Sequence, residues 1–253
     1  MSASSTSRSR HRTASGVATV CLALLALLAC SANGAAGASR AAAGRVQATQ
    51  ELVVLLSGHS AHQTPDAGSR QVAFVPDSRP ITGEPTTLPV VSRSIAAGGK
   101  RWLLVLLPGR PNGATGWIAE KGTRGSVTAW RILVDLAARR LQVYNEGHVV
   151  KVFPAVVGKP STPTPTGSFF VEESLQMQPG EPGGPFALAL SARSNVLQEF
   201  DGGPGQIAIH GRNNLGGTLG TAASHGCIRL ATASIDWLAA RISPGTPVTI
   251  IAR

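Results

Sequence analysis

The 253-residue chain has few cysteines, few aromatic residues and few acidic residues. Of its three cysteines, Cys21 and Cys30 fall in an apolar N-terminal segment, so Cys227 has no partner for an intramolecular disulfide in the rest of the chain. Aromatic residues make up 4% of the sequence, and its arginines are scattered without a Lys/Arg run. These two shortages argue against a nucleic-acid-binding protein, despite a formal net charge of +10.

The N-terminal segment has the pattern of an export signal. A basic stretch at residues 8–12 precedes an uncharged apolar run, residues 17–29, which is too short for a comfortable membrane span. We therefore predict that residues 1–30 are a signal peptide. The sequence Leu-Leu-Ala-Cys ending at Cys30 resembles a lipobox and predicts a lipid anchor there; cleavage after residues 36–38 (Ala-Gly-Ala) is the alternative.

Either route predicts a location outside the cytoplasm, at the extracytoplasmic face of the membrane or in the cell wall. The first 29 residues hold three arginines and no acidic residue, so their removal lowers the formal net charge from +10 to +7. A basic exported protein suits an anionic cell envelope. Exported proteins often pair their cysteines, so the lone thiol of Cys227 favours a reactive role over a structural one.

Composition divides the remaining chain into a linker and two β-rich units. Residues 31–50 are rich in Ala, Gly and Ser without apolar periodicity, which predicts a flexible linker. Residues 51–125 predict a small β domain. The turn at 108–113 (Pro-Gly-Arg-Pro-Asn-Gly), followed by Gly-Trp-Ile at 116–118, resembles the end of a bacterial Src-homology-3-like barrel; the alternative is an irregular β-rich spacer. Strands are predicted at 52–56, 71–75, 88–91 and 102–107.

Residues 130–253 predict a second, mostly-β domain. Its one predicted helix has Thr232 as N-cap and an apolar face of Ile235, Leu238, Ala239 and Ile242. Three prolines in residues 160–167 predict an ordered surface loop, because proline fixes φ and removes a hydrogen-bond donor. Strands are predicted at 132–135, 139–144, 149–157, 168–171, 206–210 and 247–251.

The residues with the clearest chemical meaning are Ser-His-Gly-Cys-Ile-Arg at 224–229, together with His210, which lies seventeen residues before Cys227. A catalytic thiol needs a base to accept its proton and donors to hold the oxyanion that forms on the substrate. His210 and His225 are both candidates for the base. The chemistry favours His210 slightly, because catalytic partners commonly meet through the fold.

The neighbours of the thiol suit an acyl-transfer site. Gly226 lets a substrate carbonyl approach the backbone, and the N–H groups of Gly226 and Cys227 are candidate oxyanion donors. Arg229 is a candidate for binding a substrate carboxylate, with a surface ion pair as the alternative. Ser224 is a candidate substrate contact, with a turn residue as the alternative.

A zinc site is the main chemical rival, since two histidines and a cysteine are plausible ligands. The His-x-Cys spacing is not usual for zinc, and no further Cys or close Asp/Glu cluster lies nearby in the sequence. We therefore predict no metal.

Residues 206–230 resemble the signature of the L,D-transpeptidase catalytic domain, a family of peptidoglycan cross-linking cysteine enzymes. Residues 154–167 support the resemblance, which covers about Trp130 to Arg253. It implies a β-sandwich-like domain preceded here by the small, barrel-like β domain. It also implies no metal or organic cofactor, and stem peptides of peptidoglycan as donor and acceptor.

By the same resemblance, Cys227 would attack the carbonyl of the third stem residue and expel the terminal D-alanine. The thioester would then pass to an amine of a neighbouring stem. His210 would be the general base, with the carbonyl of Gly211 orienting its ring. The resemblance assigns the oxyanion amides to His225, Gly226 and Cys227, and substrate contacts to Arg229 and the His225 side chain.

Other functions remain compatible with parts of this pattern. If water takes the thioester, the enzyme is an L,D-carboxypeptidase that uses the same residues. A non-catalytic wall-binding protein is a further alternative, against which the intact pair of Cys227 and His210 argues. Sortases separate His from Cys by far more residues, and papain-like endopeptidases place Cys before His.

Overall fold

The computed structural model describes residues 46–200 and 202–252. The predicted signal peptide (1–30), the lipid anchor at Cys30 and most of the predicted linker lie outside the described residues. The linker prediction is wrong at its end, because Gln50 already belongs to the first strand. None of the described helices is long and apolar enough to cross a membrane.

The N-terminal unit is one sheet of seven antiparallel strands, arranged in the order β3-β2-β6-β5-β4-β1-β7. A short 3₁₀ turn, Ala97–Gly99, joins β4 to β5. One face of the sheet is apolar and closes over a core that includes Val53, Leu88 and Ile118, all at most 1% exposed. The strands are β1 Gln50–Leu55, β2 His59–His62, β3 Gln71–Val75, β4 Thr87–Ile95, β5 Arg101–Leu106, β6 Thr115–Ala119 and β7 Thr123–Thr128.

The C-terminal unit is built on an eight-stranded sheet in the order β10-β9-β8-β17-β12-β13-β14-β16, with a small sheet of β11 and β15 beside it. These strands are β8 Trp130–Asp135, β9 Arg140–Asn145, β10 His148–Pro154, β11 Val157–Gly158, β12 Gly167–Gln176, β13 Phe186–Arg193, β14 Gln206–His210, β15 Ala222–Ser224, β16 Ile228–Arg229 and β17 Pro247–Ile251. Helix α1 spans Thr232–Ala239 and packs toward β13.

Strand β12 joins the two halves of this sheet. Its first half, Gly167 to Phe170, pairs with β17, and its second half, from Val171, pairs with β13 with a register shift between Val171 and Glu173. A bulge of this kind bends a strand. The two halves and α1 share one core, in which Phe169, Leu190 and Ile209 are at most 1% exposed. The predicted mostly-β architecture is confirmed.

The sequence prediction missed strands β2, β7 and β13 and the short strands β15 and β16, and it extended β10 three residues too far. The predicted helix cap is also wrong. Ala231 is the N-cap, without a side-chain cap, and the Thr232 hydroxyl instead donates to Asn213 Oδ1 at 3.2 Å. Ile242 is buried as predicted, but it lies beyond the end of the helix.

Buried apolar and ionic contacts join the two units. Phe170 of β12 packs into the core of the N-terminal unit. Arg79 donates to Glu172, which is 1% exposed, and Arg193 Nη2 lies 3.2 Å from the other oxygen of that carboxylate. Removing one partner of a buried charge pair is costly because the other charge is left uncompensated. These contacts fix the N-terminal unit beside β12 and β13.

Candidate active site

The sheet edge formed by β14 and β16 carries Cys227 and His210. These strands are parallel, and Ile209 pairs with Ile228 while His210 pairs with Arg229. Ile209 and Ile228 are both fully buried in the core. Side chains alternate across a strand, so His210 and Arg229 point away from the core. Cys227 comes just before β16, and its Sγ lies 4.0 Å from the Gln206 carbonyl oxygen of β14, the strand that ends at His210.

The turn before Cys227 is closed by the Ser224 side chain. The Ser224 hydroxyl donates to the Cys227 carbonyl at 2.6 Å and accepts from the Gly226 N–H at 3.1 Å. Gly226 has φ 124°, a conformation that favours glycine, and an added Cβ would lie 3.0 Å from Ile207 Cδ1. Ser224 and Gly226 therefore set the backbone conformation that presents the thiol.

A proline-rich loop, residues 159–166, holds this turn from the outside. Thr164 Oγ1 donates to the Gly226 carbonyl at 2.7 Å and accepts from the Gly158 N–H at 2.9 Å. The Lys159 N–H donates to the Ser224 carbonyl at 3.0 Å, and Thr162 Oγ1 donates to the same oxygen at 3.3 Å. The prediction of a surface loop is thus wrong for Thr162 and Thr164, which are 8% and 3% exposed.

The imidazole of His210 is fixed in one tautomer. Its Nδ1 lies 2.8 Å from the Gly211 carbonyl oxygen. A carbonyl oxygen only accepts hydrogen bonds, so Nδ1 carries the hydrogen and the neutral ring keeps its lone pair on Nε2. Gly183 packs against the ring so closely that a Cβ there would lie 2.8 Å from Nδ1. The His210 ring therefore presents Nε2 as a base.

Burial favours the neutral form of both reacting groups. Burial raises the pKa of the Cys227 thiol, although a hydrogen bond from the backbone of Ala208 and the positive charge of Arg229 act in the opposite direction. Burial also lowers the pKa of His210, the hydrogen bond to the Gly211 carbonyl opposes this, and the Arg229 charge adds to the lowering. Both shifts favour a thiol and a neutral imidazole over an ion pair in the resting site.

Arg229 is held beside the thiol by its own backbone and side chain. Its N–H and carbonyl exchange hydrogen bonds with Val156 at 2.9 Å each, and Nη1 donates to the Gly216 carbonyl at 2.8 Å. In the described part of the chain it makes no ion pair, so the surface ion-pair alternative finds no support there. Its predicted contact with a substrate carboxylate stays a prediction.

Two predicted roles do not fit the geometry. Ser224 is fully buried and both its hydrogen bonds are internal to the turn, so its side chain does not face a substrate. The Gly226 N–H already donates to Ser224 Oγ, which removes it from the predicted oxyanion donors in this conformation. Outside the strand ladders of the described residues, the amides of His225 and Cys227 have no acceptor and stay candidate donors.

The His225 side chain forms a second wall of the site with two residues that sequence reasoning missed. The ring of Phe200 stacks on the His225 ring with centroids 5.5 Å apart, and Lys159 Nζ lies 3.4 Å from His225 Nε2. Phe200 lies in the connection between β13 and β14, for which the sequence offered no chemical pattern. Lys159 next to the proline-rich loop was visible in the sequence, but its spacing gave no sign of a contact with His225.

Among residues 46–200 and 202–252, no group of three or more His, Cys, Asp and Glu side chains is arranged to hold a metal ion. A half-buried thiol, an oriented imidazole and a nearby guanidinium instead define a site for nucleophilic chemistry at Cys227.

Comparisons with known proteins agree with this class of site. Residues 129–250 match the family model of the L,D-transpeptidase catalytic domain. A Bacillus subtilis protein designated as a candidate L,D-transpeptidase, YkuD, is 32% identical over 157 residues, which cover 62% of this chain and 80% of the relative. A Bacillus licheniformis protein of the same designation is 36% identical over 121 residues.

That second match covers 48% of this chain and 65% of the relative, just under two thirds of its length. Among solved structures, an L,D-transpeptidase from Mycobacterium smegmatis aligns with a TM-score of 0.39 and 20% identity, over 65% of this chain and 99% of that one. By its match to the Bacillus subtilis relative, the chain belongs to the L,D-transpeptidase family.

Proposed function

We propose that the protein is an exported L,D-transpeptidase that joins peptidoglycan stem peptides through a thioester on Cys227. The observation that carries this proposal is the position of Cys227 against β14, the strand that ends at His210, together with the tautomer that the Gly211 carbonyl imposes on His210. The family membership supports the reaction class. Export is supported by the pattern of residues 1–30, which also supports a location at the cell envelope, with or without a lipid anchor at Cys30.

In the first half-reaction, Cys227 Sγ attacks the carbonyl carbon of the third stem residue while His210 Nε2 accepts the thiol proton. The N–H groups of His225 and Cys227 stabilise the oxyanion. The bond to the terminal D-alanine then breaks, and the imidazolium gives its proton to the departing amine. The thioester remains on Cys227.

In the second half-reaction, the side-chain amine of a third residue in a neighbouring stem attacks the thioester carbonyl. His210 removes the proton from the attacking nitrogen and returns it to Sγ as the C–S bond breaks. The product joins third residue to third residue, and the enzyme is restored. If water attacks in place of the amine, the same residues give L,D-carboxypeptidase activity.

Neutral resting groups suit this sequence of steps. A neutral imidazole accepts a proton directly, and a buried thiol avoids the cost of holding a charge before substrate arrives. Arg229 then lowers the cost of the thiolate as it forms, because its positive charge lies near Sγ.

The test is mass spectrometry of the purified protein after incubation with a disaccharide-tetrapeptide, with Cys227→Ala as the matched control. We expect a dimer that lacks one D-alanine and whose fragmentation places the bond between two third residues. A monomeric tripeptide alone would assign the protein to hydrolysis. No product, with no labelling of Cys227 above an unfolded control, would favour a non-catalytic wall-binding protein.

A further inference from the structure

The turn Pro108–Gly113 of the N-terminal unit contacts the active-site side of the C-terminal unit. Three hydrogen bonds join the Arg110 guanidinium to backbone carbonyls of the β13–β14 connection. Nη2 donates to Ser194 at 2.9 Å and Leu197 at 3.2 Å, and Nη1 donates to Pro204 at 2.9 Å. One side chain thus binds both ends of the same connection.

Asn112 of the same turn holds the residue just before this connection. Its side-chain amide exchanges two hydrogen bonds with the Arg193 backbone: Nδ2 donates to the carbonyl at 2.7 Å and Oδ1 accepts from the N–H at 2.8 Å. Nδ2 also lies 3.1 Å from Asn195 Oδ1. The amide side chain therefore acts as a backbone partner for the end of β13.

The connection itself, in its described residues 194–200 and 202–205, forms a hairpin that reaches the active site through Phe200. The Ser194 N–H donates to the Gly205 carbonyl at 2.8 Å and closes its base, and Phe200 and Gly203 exchange two backbone hydrogen bonds near its tip. Phe200 then stacks on His225, two residues before Cys227. Yet Phe200 is 49% exposed, so little packing of its own holds it in place.

We propose that Arg110 is a positioning residue for the active site. By binding both ends of the hairpin, it sets the position of Phe200 over His225 and so completes the wall of the cleft along which the donor stem peptide binds. The expected effect on substrate binding rests on the proposed function, whereas the effect on the position of Phe200 does not. It gives the N-terminal unit a role in substrate binding that does not require a ligand of its own.

The chemistry of the contact favours arginine over lysine. A guanidinium offers five N–H donors in a planar fork and can serve three carbonyls at once, whereas an ammonium is a compact point charge. Arg110→Lys keeps the positive charge but loses the planar set of N–H donors. We therefore expect its effect to lie between those of the wild type and Arg110→Ala.

The kinetic test compares Arg110→Ala, Phe200→Ala and the double variant in the whole protein, with Arg124→Ala as the control. Arg124 is an exposed arginine on β7 of the same unit, and its side chain makes no hydrogen bond or ion pair within the described residues. We expect both single variants to raise KM for the tetrapeptide by about tenfold with a smaller change in kcat, because a displaced wall misplaces substrate. Alkylation of Cys227 by iodoacetamide should stay within about twofold of the wild type.

The double variant supplies the discriminating result. If Arg110 acts through Phe200, the KM of the double variant is no higher than that of the more impaired single variant. Effects that simply add, or an Arg110→Ala variant that matches Arg124→Ala, would overturn the proposal. If Arg110→Ala fails to fold, Arg110→Lys replaces it in the same cycle.

A second measurement does not depend on turnover. The imidazole proton signals of His225, assigned by their loss in His225→Gln, should shift in Arg110→Ala in the same direction as in Phe200→Ala, because the stacking on His225 is lost in both. An unchanged His225 signal in Arg110→Ala would contradict the proposal. If the wild-type protein gives no transpeptidation but the variants still show these shifts, the proposed function is refuted and the positioning role of Arg110 stands.

Discussion

The two walls of the candidate active site are held in different ways. The cysteine turn, residues 224–227, is fixed by buried hydrogen bonds from Ser224, Thr162 and Thr164 within its own unit. The hairpin is largely exposed in its described residues, 194–200 and 202–205, and is held by Arg110 from the other unit. The thiol is thus held by residues of its own unit, whereas the wall beside it is held by a residue of the other unit. Damage to the turn should lower kcat, and damage to the hairpin should raise KM.

The largest effect is expected from Cys227→Ala, which removes the nucleophile from the turn. Turnover should fall by roughly a thousandfold or more while the melting temperature changes little, because one thiol is removed from a cleft. Product formation and a thermal melt check this. Retained cross-linking in the variant would refute the mechanism.

Gly226→Ala should break the turn from within. Its φ of 124° is unfavourable for alanine, and the new Cβ would press on Ile207. Such backbone strain costs about 1–3 kcal/mol, so we expect kcat to fall by about a hundredfold if the strain is relieved by moving the thiol. Gly125→Ala is the control, because a Cβ there meets no atom within 4 Å. Equal kcat values in the two variants would show that the turn tolerates the change.

Thr164→Val should loosen the turn without adding bulk. The Gly226 carbonyl loses a buried hydrogen bond, which costs about 1–3 kcal/mol, and we expect kcat to fall by about tenfold. Thr166→Val, an exposed change in the same loop, is the matched control. A change confined to KM would place the Thr164 hydroxyl outside the support of the thiol.

Ser194→Ala should loosen the hairpin. The Ser194 hydroxyl accepts hydrogen bonds from the Val196 and Leu197 N–H groups at 3.3 and 3.0 Å, so its loss frees the first turn of the connection. We expect KM to rise by about threefold with kcat nearly constant, as for a net loss of up to about 1 kcal/mol. A fall in kcat with unchanged KM would contradict the division between the two walls.

The pH dependence of activity and of alkylation tests the protonation of His210 and of the Cys227 thiol. His210 has a lowered pKa, so the base stays neutral below pH ~6.5 and the acid limb of kcat/KM should lie below that value. The unfolded chain binds a proton near pH ~6.5 that the native state does not, so stability should fall as the pH drops through this window.

The raised pKa of Cys227 predicts alkylation that rises only above pH ~8.5. Alkylation that is already maximal at pH ~6 would indicate a preformed ion pair.

The sequence predicted the reacting groups but not their supports. Cys227 and His210 carry chemistry that is recognisable from residue type, and strands such as β14 and β17 follow alternating or apolar runs with the observed bounds. Phe200, Arg110 and Thr164 act through contacts with residues far along the chain, which no local pattern encodes. Ser224 was misassigned for the same reason, because only the fold shows that its hydroxyl closes the turn.

The prediction missed β13, although Phe186–Arg193 is a nearly continuous apolar run, because buried strands lack the alternation that marks half-exposed ones. Strand β7 was missed because Thr-Arg-Gly-Ser-Val-Thr is polar and mostly exposed. Only its pairing with β1 makes it a strand. Tertiary context decided both elements.

The most direct test of the central claim is to trap the acyl-enzyme. The wild-type protein is mixed with the tetrapeptide donor without an acceptor, quenched in acid and digested, and the peptide that contains Cys227 is examined by mass spectrometry. The account predicts a stem tripeptide attached to Cys227 through a thioester, absent from Cys227→Ala. An unmodified Cys227 while product accumulates, or an adduct on another residue, would contradict it.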